Sequence, residues 1–264
     1  MAPSNECASA ENANSHERLV RIGAMADLHC MKSSEGQFEA MFAQVGKTVD
    51  VLLLAGDLTD YGLPEEASIL VRELTAVKVP IVAVLGNHDF ESSKQEEVKG
   101  VLLNAGIKVL DGDACEVLGV GIAGGKGFAG GFGRGTLGPW GEDIVKEFVR
   151  EAVGEAFKLE SALSRLRTPQ RIALLHYSPI EATVEGEPRE IFPFLGCGRL
   201  AEPLSRYPVT AVFHGHAHRG SAEGKIGEKV PVYNVALPLL RRLWPNRLPV
   251  RVIDVMVAAA SESN

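Results

Sequence analysis

The chain has 264 residues, 45 % of them hydrophobic, and a formal net charge of −7. Its length and hydrophobic content are enough for one large domain with a sizeable core, or for two small domains. The acidic balance, without a basic stripe, argues against a nucleic-acid surface dominated by phosphate contacts. No apolar stretch approaches the roughly 20 residues that a transmembrane helix needs, so we expect no membrane partner.

Neither the N-terminus nor the cysteines indicate secretion. Residues 1–17 are rich in Ala, Ser, Asn and Glu and lack the apolar core of a secretory signal, so they predict a flexible tail. The four cysteines form no CxxC pair, which favours reduced thiols in a cytoplasmic protein. We find no internal repeat and no linker, and we predict a single domain over residues 18–264.

The first half of the chain alternates predicted strands with predicted helices. The strands are apolar runs that end at polar or glycine residues, and the helices carry apolar residues three and four positions apart. This alternation predicts a parallel sheet. The predicted strands cover 19–25, 51–55 and 81–85, and the helices cover 36–48, 64–77 and 94–105.

The second half of the chain is less regular. Three short segments separated by tight turns are typical of antiparallel strands, and a glycine-rich loop and a long amphipathic helix follow them. The whole pattern predicts an α/β fold in which two packed sheets carry helices on their outer faces. The short strands cover 108–110, 114–118 and 120–123, the loop 124–141, the helices 142–166 and 197–206, a charged loop 179–195, and the remaining strands 172–175, 209–213, 221–225, 230–235 and 250–257.

Short polar clusters follow five of the predicted strands. Because the carboxyl ends of neighbouring strands meet at one edge of a sheet, we expect these clusters to lie close together there. The clusters are Asp27-Leu28-His29, GDLTD at 56–60, GNHD at 86–89, His176, and HGHAH at 214–218.

The clusters contain seven potential metal ligands. Imidazole and carboxylate groups suit Zn, Mn, Fe or Co. A single Asp or Asn at a strand end is more often a turn former or helix cap. Because potential ligands follow five predicted strands, together they argue for a metal site. Seven ligands exceed the three or four of a single zinc site and suit two metals bridged by one carboxylate. The candidates are Asp27, His29, Asp57, Asn87, His176, His216 and His218.

The order D-x-H, GDxx(D/N), GNH(D/E), H and GHxH resembles the calcineurin-like metallophosphoesterase superfamily. The resemblance implies a four-layer αββα double β-sandwich with mixed sheets and a metal site at the C-terminal edge of the strands. It implies two divalent or trivalent ions, of Mn, Fe or Zn, bridged by Asp57. The first ion would take Asp27, His29, Asp57 and His218, and the second Asp57, Asn87, His176 and His216.

The same resemblance implies hydrolysis of a small phosphodiester or phosphomonoester by a hydroxide that bridges the two metals. His88 would protonate the leaving oxygen or stabilise its developing charge, and Asp89 would orient His88. The alternative is a catalytically weak binding or scaffold protein on the same fold. Such a protein would tolerate missing ligands, and none is missing here, which favours the enzyme.

Departures from the superfamily pattern narrow the choice of subfamily to which the chain is similar. Tyr61 and Phe90 stand where protein Ser/Thr phosphatases carry Arg, and Asp60 stands where purple acid phosphatases carry a metal-binding Tyr. The pattern is closest to small bacterial-type phosphoesterases and class III cyclic-nucleotide phosphodiesterases. Tyr177 replaces a second His that many of the cyclic-nucleotide enzymes carry, which argues against that substrate.

Residues outside the ligand set have more general expected roles. We expect His214 to be a core residue or a support for the ligands, and Cys30 to be a buried filler or a group that tunes the site. Loops 124–141 and 179–195 are expected to border the cleft. Side chains that the first loop would offer to substrate are Phe128, Phe132 and Arg134.

Overall fold

The computed structural model describes residues 17–258, so the predicted tail lies outside the described residues except for Glu17, which begins the first strand. Within these residues, no helix has the length and apolar character needed to cross a membrane. The strands are β1 Glu17–Met25, β2 Val51–Ala55, β3 Ile81–Val84, β4 Lys108–Val109, β5 Asp113–Val117, β6 Val120–Gly124, β7 Arg171–Leu174, β8 Ala211–His214, β9 Glu223–Ile226, β10 Val230–Asn234 and β11 Arg251–Ala258. The helices are α1 Glu39–Thr48, α2 Pro64–Leu74, α3 Gln95–Asn104, α4 Asp143–Arg165, α5 Phe192–Leu195, α6 Ala201–Arg206 and α7 Leu237–Leu243.

The strands form two mixed sheets. The first has the order β11-β1-β2-β3-β4, with β1 to β4 parallel and β11 antiparallel at the edge. The second has the order β5-β6-β7-β8-β10-β9, with four parallel strands between antiparallel edge strands. Parallel strands with both faces covered read as continuous apolar runs, which is why the sequence predicted the central strands well.

The two sheets pack face to face and carry helices on their outer faces. Along β2, Leu53 faces the core between the sheets, together with Ile122 of β6 and Phe213 of β8. Its neighbours Leu52 and Leu54 face the opposite way, into the core that the first sheet forms with α1, α2 and α3. Helices α4 and α6 cover the second sheet in the same manner. The predicted αββα double β-sandwich is therefore confirmed.

One local prediction was wrong. Strand β4 pairs in parallel with β3 in the first sheet, whereas antiparallel pairing was expected; α3 returns the chain to the same end of the sheet, as in a βαβ unit. The antiparallel prediction is confirmed for β5 and β6. Helix α7 was not predicted; its second residue is Pro238, which the first helical turn tolerates.

Candidate metal centre

The polar clusters that follow β1, β2, β3, β7 and β8 converge at the C-terminal edge of the two sheets. Three overlapping groups of side chains each bring one potential ligand atom per residue within 4.8 Å of the others. Asn87 joins them through its Oδ1 atom, 2.9 Å from His176 Nε2. The groups are Asp27, His29 and His218; His29, Asp57 and His88; and Asp57, His176 and His216.

Four of these positions have a left-handed backbone. The φ angles are 56° at Asp27, 45° at His29, 48° at Asp57 and 70° at His216. L-residues rarely adopt this region, and each instance costs on the order of 1–3 kcal/mol. Among the described residues only two other non-glycine residues have positive φ. The strain is thus concentrated where the side chains converge, as is typical of a functional site.

Glycines in the clusters make room for the carboxylates. A Cβ atom on Gly86 would lie 2.1 Å from Asp57 Oδ1, and one on Gly215 would lie 2.4 Å from Asp27 Oδ2. Either substitution would displace a carboxylate or the backbone behind it. Gly86 and Gly215 are therefore required because each lies close to a carboxylate that follows another strand.

Backbone carbonyls orient two of the histidines. His176 Nδ1 donates to the Ala55 carbonyl oxygen at 2.9 Å, which leaves Nε2 facing Asp57 Oδ1 at 3.3 Å. His216 Nε2 donates to the Phe194 carbonyl oxygen at 3.1 Å, which leaves Nδ1 free. A metal-ligating histidine commonly donates its other N–H in this way, so that the tautomer and the ring direction are fixed.

A carboxylate orients His29, and the other ring nitrogen of His29 has no hydrogen-bond partner. Its Nδ1 lies 3.1 Å from the Asp60 carboxylate, and its Nε2 lies 3.8 Å from Asp57 Oδ2. The Nε2 atom is buried and has no hydrogen-bond partner. Because buried polar atoms are nearly always satisfied, this nitrogen fits a position that faces a metal ion.

The two central carboxylates have opposite electrostatic surroundings. Burial acts to raise the pKa of Asp27, but the His218 hydrogen bond at 3.0 Å and the nearby imidazoles lower it to about 2. Burial and the neighbouring Asp27 and Asp89 carboxylates raise the pKa of Asp57 well above its ordinary value. Adjacent buried carboxylates are costly to ionise together unless cations are bound between them. The donor set and its charge therefore fit metal ions.

His88 lies at the edge of this group. Its Nδ1 donates to the Asp60 carbonyl oxygen at 2.7 Å, and its amide N–H donates to Asp57 Oδ1 at 2.9 Å. The ring packs edge-on against His29, with 4.5 Å between the ring centroids. The imidazole is therefore beside the predicted ligands, and its Nε2 atom is left free.

Asp89 does not make the orienting contact that was expected of it. Its buried carboxylate accepts hydrogen bonds from the amides of Leu58, Thr59 and Gly86, and from the Thr59 hydroxyl. These bonds tie the GDLTD and GNHD segments together. The contact to His88 Nδ1 comes from Asp60 instead, because the short helical turn at His88–Phe90 directs Asp89 inward.

Comparison with known proteins agrees with this geometry. The family model for calcineurin-like phosphoesterases matches residues 20–220. The chain belongs to the calcineurin-like phosphoesterase family. As a member of this family it is a phosphoesterase, a hydrolase of phosphoric esters. No curated protein sequence matches the chain at a significant level.

Several solved structures are similar to this phosphoesterase in fold. Phosphopantetheinyl hydrolase (PptH) from Mycobacterium tuberculosis has a TM-score of 0.63 and 15% identity, over 88% of this chain and 95% of that one. The protein TT1561 of Thermus thermophilus has a TM-score of 0.53 and 14% identity, over 90% and 99%. Purple acid phosphatase PPD1 from yellow lupin (Lupinus luteus) has a TM-score of 0.54 and 12% identity, over 85% and 45%. At these identities the likeness shows the fold alone.

Asp60 makes two supporting contacts that the sequence did not predict. Its carboxylate holds His29 and its carbonyl holds His88, so one residue positions a predicted ligand and a predicted catalytic group. The available signal was its place as the last Asp of GDLTD. The contact to His29 joins residues 31 positions apart, so no local sequence pattern predicts it.

We expect Asp60→Ala to weaken metal binding by about 10- to 100-fold, because His29 loses the acceptor that fixes its ring. Titration of the metal-free protein with Mn²⁺ by calorimetry measures this change. Asp254→Ala, which removes an exposed carboxylate on β11, is the matched control and should bind Mn²⁺ like the wild type. Equal affinities for both variants would show that Asp60 does not support His29.

His214 is a core residue, as one of the two expectations had it. Its Nδ1 donates to the Gly215 carbonyl oxygen and its Nε2 accepts from the Thr183 hydroxyl, both at 2.8 Å. Burial lowers the pKa of His214 to about 4, so the ring is neutral. Burial also raises the pKa of the Cys30 thiol to about 12, which makes that thiol inert, and Cys30, Cys115 and Cys197 are free cysteines.

The glycine-rich loop lies against the metal centre, and its side chains differ in their exposure. The amides of His176 and Tyr177 both donate to the Lys126 carbonyl oxygen at 3.0 Å. Phe132 is mostly buried in a small apolar cluster, and only its edge contributes to a surface cavity. Arg134 is exposed and lines a surface cavity together with residues of the 179–195 segment. The loop therefore offers Arg134 to solvent and uses Phe132 for packing.

Proposed function

We propose that this phosphoesterase is a dinuclear metal-dependent enzyme that hydrolyses a small phosphodiester or phosphomonoester. The observation that carries the proposal is the position of Asp57, which approaches ligands on both sides. One oxygen, Oδ2, lies 3.8 Å from His29 Nε2, and the other, Oδ1, lies 3.3 Å from His176 Nε2. A carboxylate shared in this way suits two ions.

The residues present fit two adjoining metal positions. Asp27, His29 and His218 would hold one ion and Asn87, His176 and His216 the other, with Asp57 common to both. Mixed imidazole and oxygen donors suit Mn, Fe or Zn. When bound, two such ions supply a nucleophile at neutral pH and stabilise the charge on the phosphoryl oxygens.

The chain's own residues account for the remaining tasks. His88 carries a free Nε2 beside the centre, and the Asp60 carbonyl fixes the proton on its Nδ1 atom. A protonated Nε2 would donate a proton to the leaving oxygen as the ester bond breaks. Asp27, whose pKa is lowered to about 2, stays ionised and holds the ring of His218 in place.

Hydrolysis of two simple esters tests the proposal. With Mn²⁺ added, the protein is expected to hydrolyse bis-p-nitrophenyl phosphate, p-nitrophenyl phosphate or both, and the released nitrophenolate is followed by absorbance. A chelator should abolish this turnover and renewed Mn²⁺ should restore it. The preferred ester shows whether the site favours diesters or monoesters. Absence of turnover in protein shown to contain two metals per chain would favour the scaffold alternative.

A further inference from the structure

An apolar cavity of about 400 Å³ lies beside the candidate metal centre. Its walls come from the glycine-rich loop, the first turns of α4, and α5. No lining residue carries a charged group or a side-chain hydrogen-bonding group. Besides two glycines, the lining residues are Leu137, Ile144, Val145, Phe148, Pro193 and Phe194.

The cavity keeps large apolar side chains in contact with water. Ile144 is 70% exposed and Phe194 is 60% exposed, although both lie next to other apolar residues. Leaving such side chains exposed forgoes the favourable free energy of removing them from water, which a bound apolar group would recover. A contiguous exposed apolar surface of this kind commonly marks a binding site.

One residue joins the cavity wall to the metal centre. Phe194 lines the cavity with its side chain, while the carbonyl oxygen of the same residue accepts a hydrogen bond from His216 Nε2. A row of packed aromatic rings also runs from His216 to the cavity wall. The centroid distances along this row are 4.6 Å from His216 to Tyr177, 6.0 Å from Tyr177 to Phe128, and 4.9 Å from Phe128 to Phe148, which lines the cavity.

We infer that this cavity binds the apolar part of the substrate, and that the substrate is an amphiphilic phosphoester with an alkyl, acyl or aryl group. The inference rests on the proposed function, since the phosphoryl group must lie at the metals for the apolar group to reach the cavity. The lining offers no donor or acceptor side chain that would read a nucleobase or a sugar. It therefore favours an apolar ester group over a nucleotide.

A series of alkylphosphonates tests this inference by binding rather than by turnover. Calorimetry on the Mn²⁺-loaded protein should show tighter binding from methyl- to hexylphosphonate, by about fourfold for each methylene that enters the cavity. Binding that is independent of chain length would overturn the inference and leave the proposed function intact. Absence of binding of every phosphonate would overturn both.

Two substitutions in the cavity wall locate the effect. Ile144→Asp and Leu137→Ser should flatten the chain-length dependence while methylphosphonate binds as in the wild type, because neither residue is a predicted ligand or orients one. Ile144 lies in the first turn of α4, where an Asp is favourable for the helix. Phe157→Ser is the matched control, since Phe157 is 65% exposed on the same helix and does not line the cavity.

Sedimentation and vesicle binding, together with the phosphonate series, separate other occupants of the cavity. If a second copy of the chain covered it, sedimentation would show a dimer that Ile144→Asp dissociates, and phosphonate binding would not depend on chain length. If a membrane surface covered it, the protein would bind vesicles of neutral phospholipid and the short phosphonates would again show no dependence. Either result would overturn the inference.

Discussion

Asp57→Ala is expected to abolish hydrolysis and metal loading together. Its two carboxylate oxygens face different histidines, so that both metal positions lose a ligand in one substitution. Metal content measured by plasma emission should fall well below two per chain after loading with Mn²⁺. Hydrolysis of p-nitrophenyl esters should fall to the background rate. A variant that retains two metals would show that Asp57 does not bridge them.

The metal-free protein gives a separate readout of the same carboxylate. Burial and the neighbouring carboxylates raise the pKa of Asp57 well above its ordinary 3.8, so the native state binds this proton more tightly than the unfolded state does. The contribution of Asp57 to the stability of the metal-free protein should therefore fall as the pH rises from about 4 through the raised pKa, whereas the buried His176 and His216, whose pKa values are lowered, act in the opposite direction. The difference in unfolding temperature between the wild type and Asp57→Ala, measured at several pH values, isolates the contribution of Asp57. Asp111→Ala, at a half-exposed carboxylate, is the control and should keep the wild-type pH dependence.

The central strands and the polar clusters at their ends were predictable because their signals are local. Val51–Ala55 is apolar at every position because both of its faces are buried, and the buried strand ends directly before Gly56 and Asp57. Such a boundary is visible in a few consecutive residues. The ligand assignment then followed from the joint order of five short motifs, which no single motif would have supported.

The supporting contacts were not predictable because they join distant segments. Asp89 follows His88 in sequence, which suggested that it orients that ring, but its carboxylate is directed toward Leu58 and Thr59. The apolar cavity is a similar case. It combines residues of the glycine-rich loop and α4 with residues of α5, which lies in a separate part of the sequence.

His88→Ala is expected to keep both metals and to lose most of the catalytic rate. The His88 ring lies against His29, and its Nδ1 atom contacts the Asp60 carbonyl oxygen. The contact with Asp57 is made by the backbone amide of His88. The amide contact to the Asp57 carboxylate survives the substitution, so metal binding should survive as well. A general acid contributes typically about 10²–10⁴-fold to the rate, which is the expected loss in kcat.

The leaving group separates proton donation from electrostatic stabilisation. A p-nitrophenolate leaves without a proton, whereas an alkoxide needs one, so a general acid matters more for alkyl esters than for nitrophenyl esters. For His88→Ala, kcat should therefore fall further with an alkyl phosphoester than with its p-nitrophenyl counterpart. The comparison uses variant protein with wild-type metal content and an unchanged unfolding temperature. The loss of kcat then does not come from a loss of packing around His88. Equal losses for both esters would argue against proton donation and leave stabilisation of the developing negative charge, which a charged imidazolium supplies regardless of the leaving group's basicity.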